Sequence, residues 1–239
     1  MKVEIISCLQ DNYSYLIIDE TNNLACIVDP SEAGPIVDYL KNKNINLKYI
    51  LNTHHHFDHV GGNKNLKKKY NSVVIGYKDD ANRIPEIDIL LEDNQIWKAD
   101  NFEAKIMHIP GHTTGHICYH FFKEKLIFTG DTLFSLGCGK LFEGTYEDMF
   151  KSLDKIKKLP QDTKIYCGHE YTLQNSKFCI EHDPENTNLK NKIKEVKKKR
   201  ENSLPTIPSI LKDEMECNIF LRAKNIESFS KLRDLKDNF

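Results

Sequence analysis

Residues 52–62 read NTHHHFDHVGG, which places four histidines and one aspartate within the six positions 54–59. Imidazoles are seldom clustered without a function, so the stretch indicates either a metal site or a strongly exposed surface. The preceding segment YILNT predicts a buried strand that runs into this loop. We expect Gly61 and Gly62 to relax the backbone before a short helix. Because side chains alternate in an extended segment, His54 and His56 converge and His55 points away.

Three further loops carry the same residue types, and each follows a predicted strand. His112 follows KIMHIPG, Asp131 ends LIFTGD and His169 ends KIYCGH. Loops at one edge of a β-sandwich cluster in space, and binding sites are commonly built there. The candidate ligands number five histidines and two aspartates, more than one four- or five-coordinate ion uses: His54, His56, His59, His112, His169, Asp58 and Asp131. They divide into two sites that share one carboxylate, and two such ions can hold a bridging hydroxide at neutral pH.

The other histidines are interpreted as ordinary structural residues. A lone histidine near a strand end more often makes a hydrogen bond than binds a metal, and this interpretation applies to His108, His116, His120 and His182. Asp131 taken alone fits a turn or a cap equally well. The order of the motifs HxHxDH, PGHT, GDT and GHE favours the metal site over an exposed polar loop.

Composition restricts the class of protein. The 239 residues carry a formal net charge of −1, which indicates neither nucleic acid nor an anionic membrane as a partner. No leader or membrane-spanning run is evident, and the seven scattered cysteines favour reduced, buried thiols. We therefore expect a cytoplasmic protein, monomeric, with a small-molecule substrate. The run KIKEVKKKR is interpreted as the solvated face of a helix.

Periodicity divides the chain into two parts. Short β-rich runs and a few helices over residues 1–173 predict a four-layer αββα sandwich, an α+β fold. From residue 174 to 239 the period is helical, with Leu189, Ile193 and Val196 on one face and no β signal. The sequence thus predicts a catalytic domain over 1–173 and a small helical domain over 174–239.

The motifs THHHFDH, PGHTTGH, FTGDTLF and CGHEYT resemble the metallo-β-lactamase superfamily in order and type. The segments GCGKLFEGT and CGHEYT, together with the basic R-x-x-K-D tail, narrow the resemblance to glyoxalase II, the hydroxyacylglutathione hydrolases. The resemblance covers almost the whole chain. It implies a metallo-β-lactamase-like domain followed by a helical substrate-binding domain.

The resemblance also implies roles for individual residues. His54, His56 and His112 would bind the first metal ion, Asp58, His59 and His169 the second, and Asp131 would bridge them. Lys140 and Tyr171 match positions that contact glutathione, and Arg233 with Lys236 matches the basic pair that binds its glycine carboxylate. From the residues alone, that pair fits a solvated helix end equally well, with Phe229, Leu232 and Leu235 docking the helix. The sequence departs from the family pattern at Phe142, where some relatives have tyrosine, and at Ile219, where proline is usual.

The implied reaction is hydrolysis of S-D-lactoylglutathione to glutathione and D-lactate by a metal-bridged hydroxide, the second step of methylglyoxal detoxification. Asp58 and Asp131 would act as metal ligands that shape the electrostatic field at the reaction site, not as nucleophiles. Zinc is the expected metal, with iron and manganese as alternatives for mixed N/O ligands. The main alternative is a mononuclear iron glutathione-persulfide dioxygenase of the same fold. A metal-dependent nuclease and a non-catalytic metal-storage or redox-sensing protein agree less well with the charge and the full ligand set.

Overall fold

The computed structural model describes all 239 residues, Met1–Phe239. Contacts within the chain divide it into two compact units. The first comprises Met1–His108 and Gly115–Glu124, and the second comprises Ile109–Thr114 and Lys125–Phe239. No helix is both long enough and apolar enough to cross a membrane.

The first unit contains a six-stranded mixed sheet and a three-stranded antiparallel segment. The sheet runs in the order β1 (Lys2–Cys8), β2 (Asn12–Asp19), β3 (Leu24–Val28), β4 (Asn46–Leu51), β5 (Val73–Tyr77) and β6 (Ile89–Leu91). The first three strands form an antiparallel meander, and β3 to β6 pair in parallel. The antiparallel segment consists of β7 (Ile96–Ala99), β8 (Phe102–His108) and β9 (Ile117–Phe121).

Three helices accompany the parallel strands of the first unit: α1 (Ala33–Leu40), α2 (Phe57–Val60) and α3 (Asn63–Tyr70). Leu16, Ile27 and Ile50 lie in one buried cluster with Ile36 of α1 and Leu66 of α3. Burial of these aliphatic side chains supplies the main stabilisation of the unit. This packing holds the parallel strands in place, and the histidine loop begins at the carboxyl end of β4.

The second unit combines short strands with the longer helices. Its strands are β10 (Leu126–Gly130), β13 (Lys164–Cys167) and β14 (Ser209–Ile210), with a separate ribbon of β11 (Leu133–Phe134) and β12 (Gly137–Cys138). Strand β10 pairs with β13 in parallel, and β14 pairs with β13 antiparallel. The helices are α4 (Tyr146–Lys157), α5 (Thr172–His182), α6 (Thr187–Glu201), α7 (Leu211–Cys217), α8 (Ile219–Arg222) and α9 (Ile226–Asp237).

The helices of the second unit follow the local rules of their sequence. Helix α4 begins with a capping box between Thr145 and Asp148, and it buries Met149, Leu153 and Ile156 on one face. The C-terminal region is helical as predicted, but the prediction that it lacks β structure is wrong. Strand β14 lies within it, because the backbone of residues 209–210 pairs with the exposed edge of β13.

Candidate metal centre

The histidine loop of the first unit follows β4, whose parallel neighbour β3 ends at Val28 opposite Leu51. The carboxyl ends of parallel strands meet at one edge of a sheet, so Asp29 lies beside the loop. The carboxylate of Asp29 is 2% exposed, and it accepts from Thr53 N at 2.8 Å and from Thr53 Oγ1 at 2.7 Å. Its Oδ2 also lies 3.0 Å from His59 Nδ1.

These contacts determine which ring nitrogen of each histidine carries the proton. A carboxylate accepts, so His59 Nδ1 donates to Asp29 and the lone pair lies on His59 Nε2. The single hydroxyl proton of Thr53 is given to Asp29, so Thr53 Oγ1 accepts from His54 Nδ1 at 3.0 Å. Both rings therefore direct an Nε2 lone pair away from Asp29, the arrangement in which histidine binds a metal.

His56 and Asp58 complete the set in the first unit, and both are half-buried. His56 Nδ1 lies 3.1 Å from His54 Nε2, and Asp58 Oδ2 lies 3.5 Å from His59 Nε2. Asn12 donates to Asp58 Oδ2 at 2.9 Å and to its backbone carbonyl at 3.1 Å. The Asp58 carboxylate is thus held in place from β2.

Gly61 and Gly62 act differently from the prediction. Both have right-handed helical backbone angles, so neither needs the conformational freedom of glycine. A Cβ at Gly61 would lie 2.5 Å from the carbonyl oxygen of Ser31, and one at Gly62 would lie 2.8 Å from that of Pro30. The glycines are required because the backbone of residues 30–31 packs against them.

The second unit holds the remaining three predicted ligands. His112 Nδ1 lies 2.8 Å from the carbonyl oxygen of Lys140, which can only accept, so this ring also has its lone pair on Nε2. Asp131 and His169 follow the parallel strands β10 and β13. A single oxygen, Asp131 Oδ2, lies 3.5 Å from His112 Nε2 and 3.2 Å from His169 Nε2.

The distances within each unit fit ligands of a metal ion. Two ligand atoms each about 2.0–2.1 Å from a tetrahedral ion are separated by about 3.3 Å. The four measured separations are 3.1, 3.5, 3.5 and 3.2 Å. The donor set of imidazole nitrogens and carboxylate oxygens suits a divalent ion, and oxygen atoms orient His54, His59 and His112 through Nδ1.

The histidines interpreted as structural have other surroundings. His55 Nδ1 lies 3.1 Å from Asp80 Oδ2, consistent with the prediction that its side chain points away from His54 and His56. His108 stacks on Tyr77, and His182 lies on the exposed surface of α5 against Phe178. His116 is buried and stacks on the ring of His54 at 4.6 Å, so it supports that ligand by packing.

The four predicted substrate-binding residues differ in exposure. Lys140 is exposed, and Tyr171 is 37% exposed with its ring stacked on His169 at 4.7 Å. Arg233 is only 4% exposed, and its guanidinium donates to the carbonyl of Cys138 at 2.8 Å and to Asp237 at 2.8 Å. Lys236 is half-buried between the rings of Phe178 and Phe239, and burial together with the Arg233 charge lowers its pKa.

The docking residues predicted for α9 are only partly correct. Phe229 is fully buried and Leu232 is half-buried, but Leu235 is 51% exposed. The prediction that Leu235 docks the helix is wrong, because Phe229 and Arg233 occupy the buried face of α9. The helix therefore docks through an arginine where an aliphatic residue was expected.

The sequence motifs do not mark two further residues that contact the proposed ligands, Asp29 and Asn12. Neither belongs to a histidine motif, and each reaches the loop through the pairing of strands. The segment LACIVDP offers a signal for Asp29, because an aspartate directly after a buried strand lies at the edge where the next parallel strand ends. No comparable local signal marks Asn12.

Comparison with known families agrees with this geometry. Residues 10–169 match the metallo-β-lactamase superfamily, and residues 170–239 match the hydroxyacylglutathione hydrolase C-terminus. A hydroxyacylglutathione hydrolase of Pelagibacter ubique is 69% identical over 239 residues, which is 100% of both chains. Another, of Methylococcus capsulatus, is 39% identical and covers 98% of this chain and 97% of its own.

Solved structures show the same fold. ETHE1 from Myxococcus xanthus superposes with a TM-score of 0.76 at 20% identity, covering 98% of this chain and 90% of its own. The BLEG-1 B3 metallo-β-lactamase superposes with a TM-score of 0.71 at 22% identity, covering 92% of this chain and 99% of its own. These likenesses concern the fold alone. The predicted fold class, a metallo-β-lactamase-like domain followed by a helical C-terminal region, is confirmed.

The histidine and aspartate clusters and the family match together identify a divalent-metal-binding protein. The two family models jointly span residues 10–239, and the Pelagibacter relative matches along its whole length. This chain therefore belongs to the hydroxyacylglutathione hydrolase family of the metallo-β-lactamase superfamily.

Proposed function

We propose that the protein hydrolyses the thioester of S-(2-hydroxyacyl)glutathione to glutathione and a 2-hydroxy acid, with S-D-lactoylglutathione and D-lactate as substrate and product. The observation that carries this proposal is the 69% identity to a hydroxyacylglutathione hydrolase over the full length of both chains. The metal loops and the helical tail are thereby matched together. The match to the family's C-terminal region over residues 170–239 favours this reaction over the dioxygenase alternative.

We further propose that the seven ligands hold two divalent ions, with zinc as the expected metal and iron or manganese as alternatives. His54, His56 and His112 form one ligand set, Asp58, His59 and His169 form the other, and Asp131 is shared. The common position of Asp131 Oδ2 beside His112 and His169 supports the shared role. When bound, such ions act as Lewis acids toward the thioester carbonyl and lower the pKa of a metal-bound water to about 7.

The protein's own residues contribute position and charge to this reaction. Asp58 and Asp131 are the proposed catalytic carboxylates, and their negative charge would balance that of metal ions bound at the site. Asn12 holds Asp58, and Asp29 holds His59, so the ligands are fixed before substrate binds. The leaving group is the thiolate of a thiol with a pKa of about 8.5, so its departure needs no separate general acid.

Lys140, Tyr171, Arg233 and Lys236 form the proposed glutathione-binding surface of the second unit. Exposure supports direct contact by Lys140 and Tyr171. Arg233 fixes the backbone at Cys138 close in sequence to Lys140, and Lys236 supplies a partly buried ammonium group. We retain residues 1–173 as the catalytic domain and 174–239 as the substrate-binding domain.

We also propose a cytoplasmic, monomeric enzyme that has no nucleic-acid or membrane partner. Seven free, buried cysteines support a reducing compartment. The net charge of −1 supports a small-molecule substrate over a polyanion.

Hydrolysis of S-D-lactoylglutathione by the purified, metal-loaded protein tests the proposal. Glutathione and D-lactate are expected in equal amounts, and chelation of the metal should abolish their release. As a control, the His182→Ala variant should hydrolyse the thioester as the wild type does, because His182 is an exposed histidine outside the proposed ligand set. Oxygen consumption with glutathione persulfide and no thioester hydrolysis would contradict the proposal and favour the dioxygenase.

A further inference from the structure

Side chains from the C-terminal helices grip one short hairpin of the second unit. The gripped hairpin comprises residues 133–140, which contain β11, β12 and the turn between them. Four side chains donate to its carbonyl oxygens: Asn175 to Ser135 at 3.1 Å, Cys179 to Leu136 at 3.1 Å, Asn218 to Gly137 at 3.0 Å and Arg233 to Cys138 at 2.8 Å. Helices α5 and α9, together with the N-cap of α8, thus supply its hydrogen bonds.

Glu214 on α7 is the acceptor in this arrangement. Its carboxylate is fully buried, and its Oε2 accepts from Leu136 N at 2.8 Å and from Asn218 Nδ2 at 3.2 Å. Leu136 has a positive φ of 57°, a conformation that non-glycine residues rarely adopt. The hydrogen bond to Glu214 holds the turn in this unfavourable conformation.

A buried carboxylate at this place costs folding free energy unless its hydrogen bonds offset the loss of hydration. Burial raises the pKa of Glu214, while hydrogen bonds from the Leu136 N–H and the Asn218 amide act to lower it. An apolar residue would fill the same space without this cost. The acidic group therefore points to a need for a fixed hairpin backbone.

The far end of the gripped hairpin meets two of the proposed metal ligands. Gly139 N donates to the carbonyl of Thr132 at 3.2 Å, and a Cβ at Gly139 would collide with the carbonyl of Asp131. The next residue, Lys140, accepts the Nδ1 proton of His112. A shift of the hairpin would therefore turn the His112 ring and move its Nε2.

We propose that Glu214 is a positioning residue of the metal centre, which acts through the gripped hairpin and the Lys140 carbonyl to hold His112 in its ligand orientation. The inference rests on the proposed function only for the assignment of His112 as a ligand. It assigns to the C-terminal helices a role in metal binding in addition to substrate binding.

Metal affinity of the full-length protein tests this role independently of catalysis. Glu214→Met removes both acceptor oxygens at similar length, and Glu214→Gln retains one amide oxygen as an acceptor. Each variant, loaded with zinc, is equilibrated with a graded series of chelator concentrations, and the ions retained per chain are counted. Glu214→Met should bind one of the two ions about tenfold more weakly. This is the lower end of the loss of metal affinity caused by mutating residues that orient metal ligands. Glu214→Gln should restore most of this affinity.

Two controls separate positioning from general loss of stability. Asp213→Asn changes a neighbouring carboxylate on α7, which pairs with Lys192. Leu40→Ala destabilises the buried core of the first unit, to which the hairpin does not belong. Both should retain two ions with wild-type affinity, even where Leu40→Ala lowers the melting temperature.

The ion affected should be the one bound by His112. His112→Ala combined with Glu214→Met should therefore lose no more metal than His112→Ala alone, because both act at one site. If Glu214→Met does not fold, Asn175→Ala removes a single donor to Ser135 and should give a smaller loss of affinity in the same direction. Wild-type affinity for both ions in the folded variants would overturn the inference. Two ions bound by the wild type without thioester hydrolysis would instead refute the proposed function.

Discussion

At the scale of the residue, Asp131 has the most contacts with other proposed ligands in the second unit. One of its oxygens lies within 3.5 Å of His112 Nε2 and 3.2 Å of His169 Nε2. Asp131→Ala should therefore weaken binding of both ions, whereas His169→Ala should release only one. Metal analysis of the two purified variants checks this difference. Loss of a single ion from Asp131→Ala would show that the carboxylate is not shared.

Asp29 offers a second test at the residue scale. Its carboxylate orients His59 directly and His54 through Thr53, so Asp29→Ala should reduce metal affinity by about 10- to 100-fold. Asp19→Ala is a matched control, since Asp19 is also a buried aspartate of the first unit and caps Thr21 and Asn22. Equal metal affinities in the two variants, measured by chelator competition, would refute the orienting role.

The proposed ligands could be predicted from the sequence because their spacing is local. HxHxDH fixes four of them within one loop, and His112, Asp131 and His169 each follow a recognisable strand. Asp29 carries only a weaker signal, which is its place directly after the buried strand segment LACIV. Its role depends on the parallel pairing of β3 with β4, which a local pattern does not reveal.

At the scale of the element, the strands with strong apolar runs were predicted and the shortest ones were not. Strand β2 is buried at every position, and the apolar run YLII within it identifies the strand from the sequence. Strand β14 has two residues and exists because β13 offers an unpaired edge. Its formation depends on tertiary contacts, which the helical periodicity of residues 174–239 does not reveal.

Stability is expected to depend on pH through His120, which lies where β8 pairs with β9. His120 is 6% exposed and opposite Lys105, and burial together with the lysine charge lowers its pKa below the usual 6.5. The unfolded chain therefore binds this proton more readily than the folded protein. The resulting stability is fully present above pH 6.5 and is lost as the pH falls through the folded-state pKa.

His120→Gln should remove this contribution to the pH dependence. Urea unfolding at pH 7.5 and pH 5.0 measures it, and the variant should lose less stability on acidification than the wild type. All other ionisable groups are the same in both proteins, so their contribution cancels in the comparison. An identical loss in the two proteins would contradict the assignment to His120.

At the scale of the whole molecule, the C-terminal helices match the C-terminal region of the hydroxyacylglutathione hydrolases. The sequence predicted helix α9, and the resemblance implied its basic pair. The burial of Arg233 was not predictable, because its carbonyl partner Cys138 lies 95 residues away. Arginine therefore serves the backbone of the gripped hairpin, and Lys236 provides the more direct test of substrate binding.

Lys236→Ala should raise KM for the glutathione thioester about tenfold with little change in kcat. A charge-assisted hydrogen bond contributes about 1.5–3 kcal/mol, less when partly exposed, and about 1.4 kcal/mol corresponds to a tenfold change. The glycine carboxylate lies far from the thioester bond, so the contact acts equally on ground and transition states. Lys231→Ala is the matched control, since Lys231 is an exposed lysine of α9 that pairs with Glu227.

A simple thioester without the glutathione portion completes this test. Both lysine variants should hydrolyse it at the wild-type rate. A KM for S-D-lactoylglutathione that is unchanged by Lys236→Ala would show that the end of α9 is only a docked helix.

In the proposed mechanism, two ions that share Asp131 together carry out thioester hydrolysis. Titration of the metal-free protein with zinc, with hydrolysis of S-D-lactoylglutathione followed at each addition, tests this most directly. We expect two equivalents to bind per chain and full activity to require the second. Full activity at a single bound equivalent, with no further increase, would contradict it.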